Sequence, residues 1–476
     1  MRRSYVAAVM AASEADDSAD LDVVRHLEDC VASGDDVLNI VAQWRQTSSL
    51  PDPDLADYAS EADCPLLLAA LLEVYGVDAN WAIEDASRLP YTLLCTAAEK
   101  GASKSVAVLL SHGANPNTTS LIDGNTYTPL YLAAEWGHTA VCRQLLDAGA
   151  DLDVRCGKMD WTALHVAASE KRVGAVALLV QRGGDTRATT LTHLWTPVFF
   201  CLNGGSEGLL CLRVLLPKSD LEHADVRGFS ILHNAAYHGH ADMLEVLLPR
   251  YTAAGLIDIP VRALEQIPTL GATPLMLACN HAKYKAAKLL LQAGASRHAR
   301  NSKGRSVLNE CIRGSSLACF QLLLGEAPNW HYTPQQLNEG EAMFTTPLGI
   351  AVLTGNVSCC KLLIEAGADA HDRHSECARR LWPNNLELAA LLQSGSAALA
   401  PPCCANCQKS DVKLSACSRC QAVRYCSAAC HRAHWQHHKT ECMSCEDQAA
   451  SMEAALVSLI KKSKEPQGGD DLINPS

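Results

Sequence analysis

Eight potential metal ligands fall in pairs near the end of the chain: Cys404 with Cys407, Cys417 with Cys420, Cys426 with Cys430, and His438 with Cys442. In the first two pairs the donors are separated by two residues, a knuckle spacing in which a tight turn aims both sulfurs at one metal. In the last two they are one helical turn apart, so each pair shares a helix face. Seven thiolates and one imidazole satisfy two tetrahedral Zn2+ ions and leave no coordination position open for water or substrate. The expected chemistry is therefore structural rather than hydrolytic. A segment of about forty residues buries too little apolar surface to fold unaided. Each structural zinc supplies on the order of 10–16 kcal/mol toward folding it. Three further donors compete. Cys403 would leave a longer gap to Cys407, and Cys445 falls outside the paired pattern. His434 precedes His438 by one turn and reads as a surface or supporting residue.

The rest of the chain must position this segment and supply a core of its own. At 476 residues it has room for several domains or one long array, and 48% hydrophobic residues give ample core material. Aromatics are only 5%, which favours helices packed through small residues. The formal net charge of −12 argues against broad binding to nucleic acid or anionic membrane. Cysteines cluster in the zinc segment and are otherwise scattered among its 22, the usage of a reducing compartment. Cytoplasm or nucleus is the expected location. No apolar run is long enough to span a bilayer. The short alanine-rich stretch after Arg2 and Arg3 meets Glu14, Asp16 and Asp17 at once and reads as an ordinary N-terminal helix.

A repeat runs through most of the chain. Thr128-Pro129-Leu130, Thr162-Ala163-Leu164-His165, Thr196-Pro197-Val198 and Ser230-Ile231-Leu232-His233 open at successive intervals of 34 residues. Thr273-Pro274-Leu275, Ser306-Val307-Leu308 and Thr346-Pro347-Leu348 follow, and Thr92-Leu93-Leu94 opens an earlier copy. The copies repeat most of one grammar: an Ala pair or its equivalent, a glycine, a Leu pair and a Gly-Ala-Asp-like turn. The local physics predicts two helices per copy. Thr or Ser caps the first, with Pro in its first turn, and glycine ends it in the left-handed region. The Leu pair buries the second. The intervals of 43 residues after Ser230 and 40 after Ser306 mark insertions near Tyr251–Pro268 and Glu326–Met343. In the second, Trp330, His331 and Tyr332 are candidate exposed anchors.

This grammar resembles the ankyrin repeat over residues 91–372, about eight copies. Tyr131, Phe199, Met276 and Gly349 stand where that family usually has His. The resemblance implies a mainly α solenoid. Residues 1–90 read as a helical N-terminal region, with Pro65 to Tyr75 a degenerate capping repeat that shields the apolar end of the array. Residues 373–402 read as a closing helix and a linker, residues 403–445 as the zinc module, and residues 446–476 as a helix with a disordered tail.

The paired ligands resemble the MYND finger, and Tyr425, Trp435 and His438-Lys439 match it as well. The family implies interleaved zincs, one held by Cys404, Cys407, Cys426 and Cys430 and the other by Cys417, Cys420, His438 and Cys442. It also implies capture of short proline-containing peptides in a groove that uses Trp435 and the residue at His431. The family's Gln is replaced by His431 and its acidic residue by His434. Six Lys/Arg stand against Asp411 and Glu441 in this segment. Thiolate charge offsets most of that excess and leaves the metallated module near about +1. Direct nucleic-acid binding is not expected.

MYND fingers also occur within SET-domain methyltransferases. Here the one Asn-His pair, Asn280-His281, lies inside a repeat, and only a short tail follows the finger. No phosphate loop or hydrolase elbow is present. The expected function is a monomeric, non-enzymatic scaffold or adaptor for protein partners. An enzyme-associated role (a methyltransferase relative or a ubiquitin-ligase-like finger) and transcriptional co-regulation stand as alternatives.

Overall fold

The computed structural model describes residues 52–74, 76–83, 91–122, 124–203, 205–262, 269–326, 329–340 and 346–369, with the strands 415–416 and 424–425. The chain divides into two compact bodies, Met1–Val226 and Arg227–Ser476.

In the first body, α1 (Asp52–Glu61) and α2 (Pro65–Val74) form a helix pair ahead of the first full repeat. Three further α-helix pairs follow: α3 (Leu93–Lys100) with α4 (Ser103–Ser111), α5 (Pro129–Trp136) with α6 (Thr139–Asp147), and α7 (Ala163–Ser169) with α8 (Val173–Arg182). Short antiparallel pairs precede the first helices: β1 (Ala82–Ile83) with β2 (Tyr91–Thr92), and β3 (Ser120–Ile122) with β4 (Asn125–Tyr127). The copy that opens at Thr196 departs from the expected α-helix. Pro197–Asn203 winds as a 3-10 helix before α9 (Gly205–Leu215).

The second body repeats the plan. Its pairs are α10 (Ile231–His238) with α11 (Ala241–Ala253), α12 (Pro274–Asn280) with α13 (Tyr284–Gln292), and α14 (Val307–Arg313) with α15 (Leu317–Leu324). The hairpin β5 (Gly325–Glu326) and β6 (Asn329–Trp330) and the short α16 (Pro334–Leu337) follow. The last pair is α17 (Pro347–Leu353) with α18 (Val357–Glu365). A separate hairpin joins β7 (Ser415–Ala416) to β8 (Arg424–Tyr425).

In six copies the opening Thr or Ser does what its chemistry predicts. The hydroxyls of Thr92, Thr128, Ser230, Thr273, Ser306 and Thr346 accept hydrogen bonds from the backbone N–H three residues on, satisfying a donor the helix itself leaves unpaired. The Ala pairs and Leu positions are buried, including Ala133, Ala134, Leu145, Ala235, Ala236, Leu247, Leu290 and Leu363. Gly101, Gly137 and Gly239 end the first helices at φ of 72°, 80° and 81°. Where a copy lacks that glycine, Lys171, Ala282 and Ser315 take the left-handed conformation themselves, at 56°, 58° and 55°. An L-residue is less comfortable there by roughly 1–2 kcal/mol.

Both insertions turn out to be partly core. The first begins as an extra turn of α11, and its Tyr251 is fully buried. In the second, Tyr332 is not an exposed anchor. It is 6% exposed, its hydroxyl donates to the Arg297 carbonyl at 2.7 Å, and its ring meets His298 edge-on. An apolar ring with one polar tip gains more from this packing than from solvent. His331 beside it is exposed, and the Trp330 side chain lies outside the described residues.

Candidate functional site

The repeats are joined by polar contacts that keep their helix ends in line. In the first body a relay of side-chain carbonyls and carboxylates runs along the turns. Asp78 accepts from Asn80 N–H, Asn80 from Asn115, Asn115 from Asn117, Asn117 from Asp151, Asp151 from Asp153, Asp153 from Asp185, and Asp185 from Arg187. Their donor–acceptor distances span 2.7–3.1 Å. Each carboxyl or amide thus closes its own turn or the turn of the next copy. Asp258 to Ser296 and Asn338 to Asp369 repeat the second kind of step in the other body. Replacement of Asn117 by Ala removes the bond to Asp151 and a second to the Gly149 carbonyl. The expected cost is about 1 kcal/mol, read as a lower urea midpoint at unchanged slope.

A second set of contacts crosses from one helix pair to the next. His138 Nε2 lies 2.9 Å from the Glu99 carbonyl, and Arg172 Nε donates to the Glu135 carbonyl at 2.8 Å. These side chains lie over Gly101 and Gly137, where an added Cβ would come within 2.4 Å of the His138 ring or 2.8 Å of Arg172 Cδ. Glycine is needed at these positions both for its φ and for the room it leaves.

His165 and His233 are internal fasteners. His165 Nδ1 accepts from the Thr162 N–H at 3.2 Å, so the proton sits on Nε2, 3.0 Å from the Ala188 carbonyl. His233 makes the equivalent bonds to Ser230 and Ala272. Burial holds the His165 imidazolium down to about 4 from an ordinary 6.5. Between those values the folded ring binds fewer protons than the unfolded one. Its contribution is therefore complete above about 6.5 and is lost as pH falls toward about 4. From pH 7 to pH 5 the expected loss is about 2 kcal/mol, seen by urea titration. His165→Gln should remove that increment, and an unchanged pH dependence in this variant would rule out the assignment.

The scattered cysteines among the described residues serve the core. Cys95, Cys142, Cys279, Cys311, Cys359 and Cys360 are all fully buried. Burial pushes Cys95 up to about 11 and Cys142, Cys359 and Cys360 up to about 12. At neutral pH these last four are thiols, unsuited to act as nucleophiles or metal ligands. Among the described residues no group of three or more His, Cys, Asp or Glu side chains is placed to hold a metal. No described helix is long and apolar enough to cross a membrane.

One part of the first body presents unsatisfied chemistry outward. Lys100, Trp136 and Glu170 occupy equivalent positions at the ends of α3, α5 and α7, which pack side by side. Trp136 is 53% exposed. Glu99 accepts from the Tyr91 hydroxyl. Glu135 is half-buried, and burial together with the carboxylates of Glu170 and Glu99 raises it above the usual carboxylate range. The sequence offered a capping and core pattern here but no signal that these side chains would share one face.

For the zinc module, the structure describes one backbone element. β7 and β8 pair antiparallel, with Ala416 opposite Arg424 and Ser415 opposite Tyr425. In sequence, Cys417 and Cys420 fall between these strands and Cys426 directly follows them. The candidate ligands Cys404, Cys407, Cys417, Cys420, Cys426, Cys430, His438 and Cys442 lie outside the described residues, as do His431 and Trp435. The donor set itself suits zinc: soft thiolates with one imidazole, in pairs at tetrahedral-site spacing.

Comparison with known proteins matches the same two segments. A model of ankyrin repeats in three copies matches residues 56–156, 94–190, 164–263 and 275–374, and a MYND finger model matches residues 404–442. The human SH3 and multiple ankyrin repeat domains protein 1 is 34% identical over 145 residues, 30% of this chain and 6% of its own length. The mouse B-cell lymphoma 3 protein homolog is 29% identical over 155 residues, 32% of this chain and 34% of its own. The chain thus spans only a small part of the first of these relatives. Among solved structures, the human ASB11 ankyrin repeat domain is similar at 25% identity and a TM-score of 0.39, covering 50% of this chain and 98% of that one. Ankyrin repeats and MYND fingers are protein-interaction modules, and the MYND finger binds zinc. The chain belongs to the ankyrin-repeat family, and a MYND-type zinc finger follows its repeats.

Proposed function

We propose that the chain is a non-catalytic adaptor whose repeats and finger dock different protein partners. The observation that carries this reading is the presence of two interaction modules in one chain, at residues 56–374 and 404–442. The finger holds two structural zincs through Cys404, Cys407, Cys417, Cys420, Cys426, Cys430, His438 and Cys442. Closed coordination leaves the metal to fix shape while the surface around it makes contacts. Trp435 anchors a short proline-containing peptide, with His431 and His434 altering the usual preference. The chain acts as a monomer in the cytoplasm or nucleus, without direct contact to nucleic acid.

The test is a pull-down with the intact chain and with Cys404→Ala. The reading expects part of the partner set to be lost with the variant. Identical partner sets would remove the finger from the function. Ubiquitin transfer by the purified chain with a panel of conjugating enzymes would replace the adaptor reading with an enzymatic one.

A further inference from the structure

We infer that the face formed by the ends of α3, α5 and α7 docks an extended protein segment that presents a lysine or arginine beside an apolar side chain. This rests on the adaptor reading and supplies the chemistry of one partner. The face has two components that a single such segment would satisfy. Trp136, more than half exposed, offers an indole surface that packs apolar groups and attracts cations over its ring. Glu135, from the same helix end, and Glu170, from the next, supply carboxylates that make no ion pair among the described residues.

Two neighbouring cations already have other partners. Lys100 pairs with Glu61 at 2.7 Å, and Arg172 Nε is bound to a backbone carbonyl at 2.8 Å. Glu170 and Glu99 therefore act against the Glu135 carboxylate, Arg172 offsets them only in part, and a cation brought by a partner relieves the remaining repulsion.

The wider charge distribution selects this body over the other. Residues 52–226 hold 22 Asp/Glu against 12 Lys/Arg, whereas residues 227–369 hold 10 against 12. A basic segment is steered toward the first, and the same field disfavours nucleic acid there. Committing the occupant to a protein segment follows from Trp136. An exposed aromatic beside charges is an interface anchor, and small cations have no use for it.

The experiment selects phage-displayed 12-residue peptides on the full chain and, in parallel, on the variant Glu135→Gln, Glu170→Gln, Trp136→Ala. Both proteins must first show the same thermal transition, as expected for changes at exposed or half-exposed positions. Peptides recovered only from the intact chain should carry Lys or Arg next to an apolar residue. Fluorescence anisotropy should show each losing about tenfold in affinity to Trp136→Ala and several-fold to the glutamine pair, the latter diminishing at high salt. Intact-only peptides that lack basic residues, or an intact chain that yields no peptide beyond those shared with the variant, would overturn the proposal. So would an intact chain that selects none. Cellular partners that remain bound to the triple variant while Cys404→Ala loses its own would leave the adaptor reading standing and remove only this surface.

Discussion

Removal of zinc should unfold residues 404–442 and leave the repeats folded. The finger segment is too short to sustain a core, so its folding free energy is the metal's: on the order of 10–16 kcal/mol for each ion. The caps, buried Leu and Ala positions and turn relay described above are built from residues within 52–369, so the repeats should hold without the metal. A strong chelator should therefore release two equivalents of zinc, exposing thiols to a colorimetric reagent, while the main thermal transition stays where it was. Cys426→Ala should mimic chelation at one site, because three donors cannot close a tetrahedral structural site. Release of one equivalent, or of none, would overturn the two-site ligand assignment. A collapse of the main transition on chelation would show that finger and repeats are not independent.

Gly314→Ala should be the most damaging single methyl group in the repeats. Gly314 follows α14 in ordinary right-handed geometry at φ −74°, so its importance is not conformational. A Cβ there would lie 2.1 Å from the Asn280 carbonyl oxygen and 2.6 Å from its carbon, both backbone atoms at the end of α12. Neither helix can yield cheaply, because Asn280 is also bonded to the buried Glu310 at 2.8 Å. Glu310 in turn is held by Asn301 and Arg305. Overpacking of this kind costs about 3 kcal/mol. The control is Gly149→Ala, where φ is 90° and an added Cβ meets nothing within 4 Å. Its cost is backbone strain alone, about 1 kcal/mol. Urea unfolding of the two variants should separate them by about 2 kcal/mol. Equal losses would mean that the α12–α14 approach is looser than described.

The helix pairs were legible because their signals are local. A hydroxyl at the cap, Pro in the first turn, paired small residues and a terminal glycine each act within a few residues, so sequence spacing alone places them. Lys171, Ala282 and Ser315 were not legible as left-handed residues, since nothing in their side chains favours that conformation and packing imposes it. The turn relay was visible only in part. The Gly-Ala-Asp-like turns were recognisable, but the reach of Asn117 and Asp153 into the next copy is a tertiary fact. Tyr332 misled because aromatic identity does not say whether a loop folds back, and here the Arg297 carbonyl draws it in. The finger stands at the opposite pole: its ligand spacing is its clearest feature, and its side chains lie outside the described residues. The face around Trp136 could not be read from spacing at all. Which carboxylates remain without an ion pair depends on Lys100 pairing with Glu61 and on Arg172 Nε binding a backbone carbonyl, a matter of three-dimensional partners.

The central claim is that two separate arms recruit two sets of proteins. It is tested most directly by quantitative proximity labelling with the intact chain, Cys404→Ala and Trp136→Ala. The account predicts that each variant loses its own subset of labelled proteins and that the two subsets do not overlap. Loss of one common subset in both variants, or full retention by both, would contradict it.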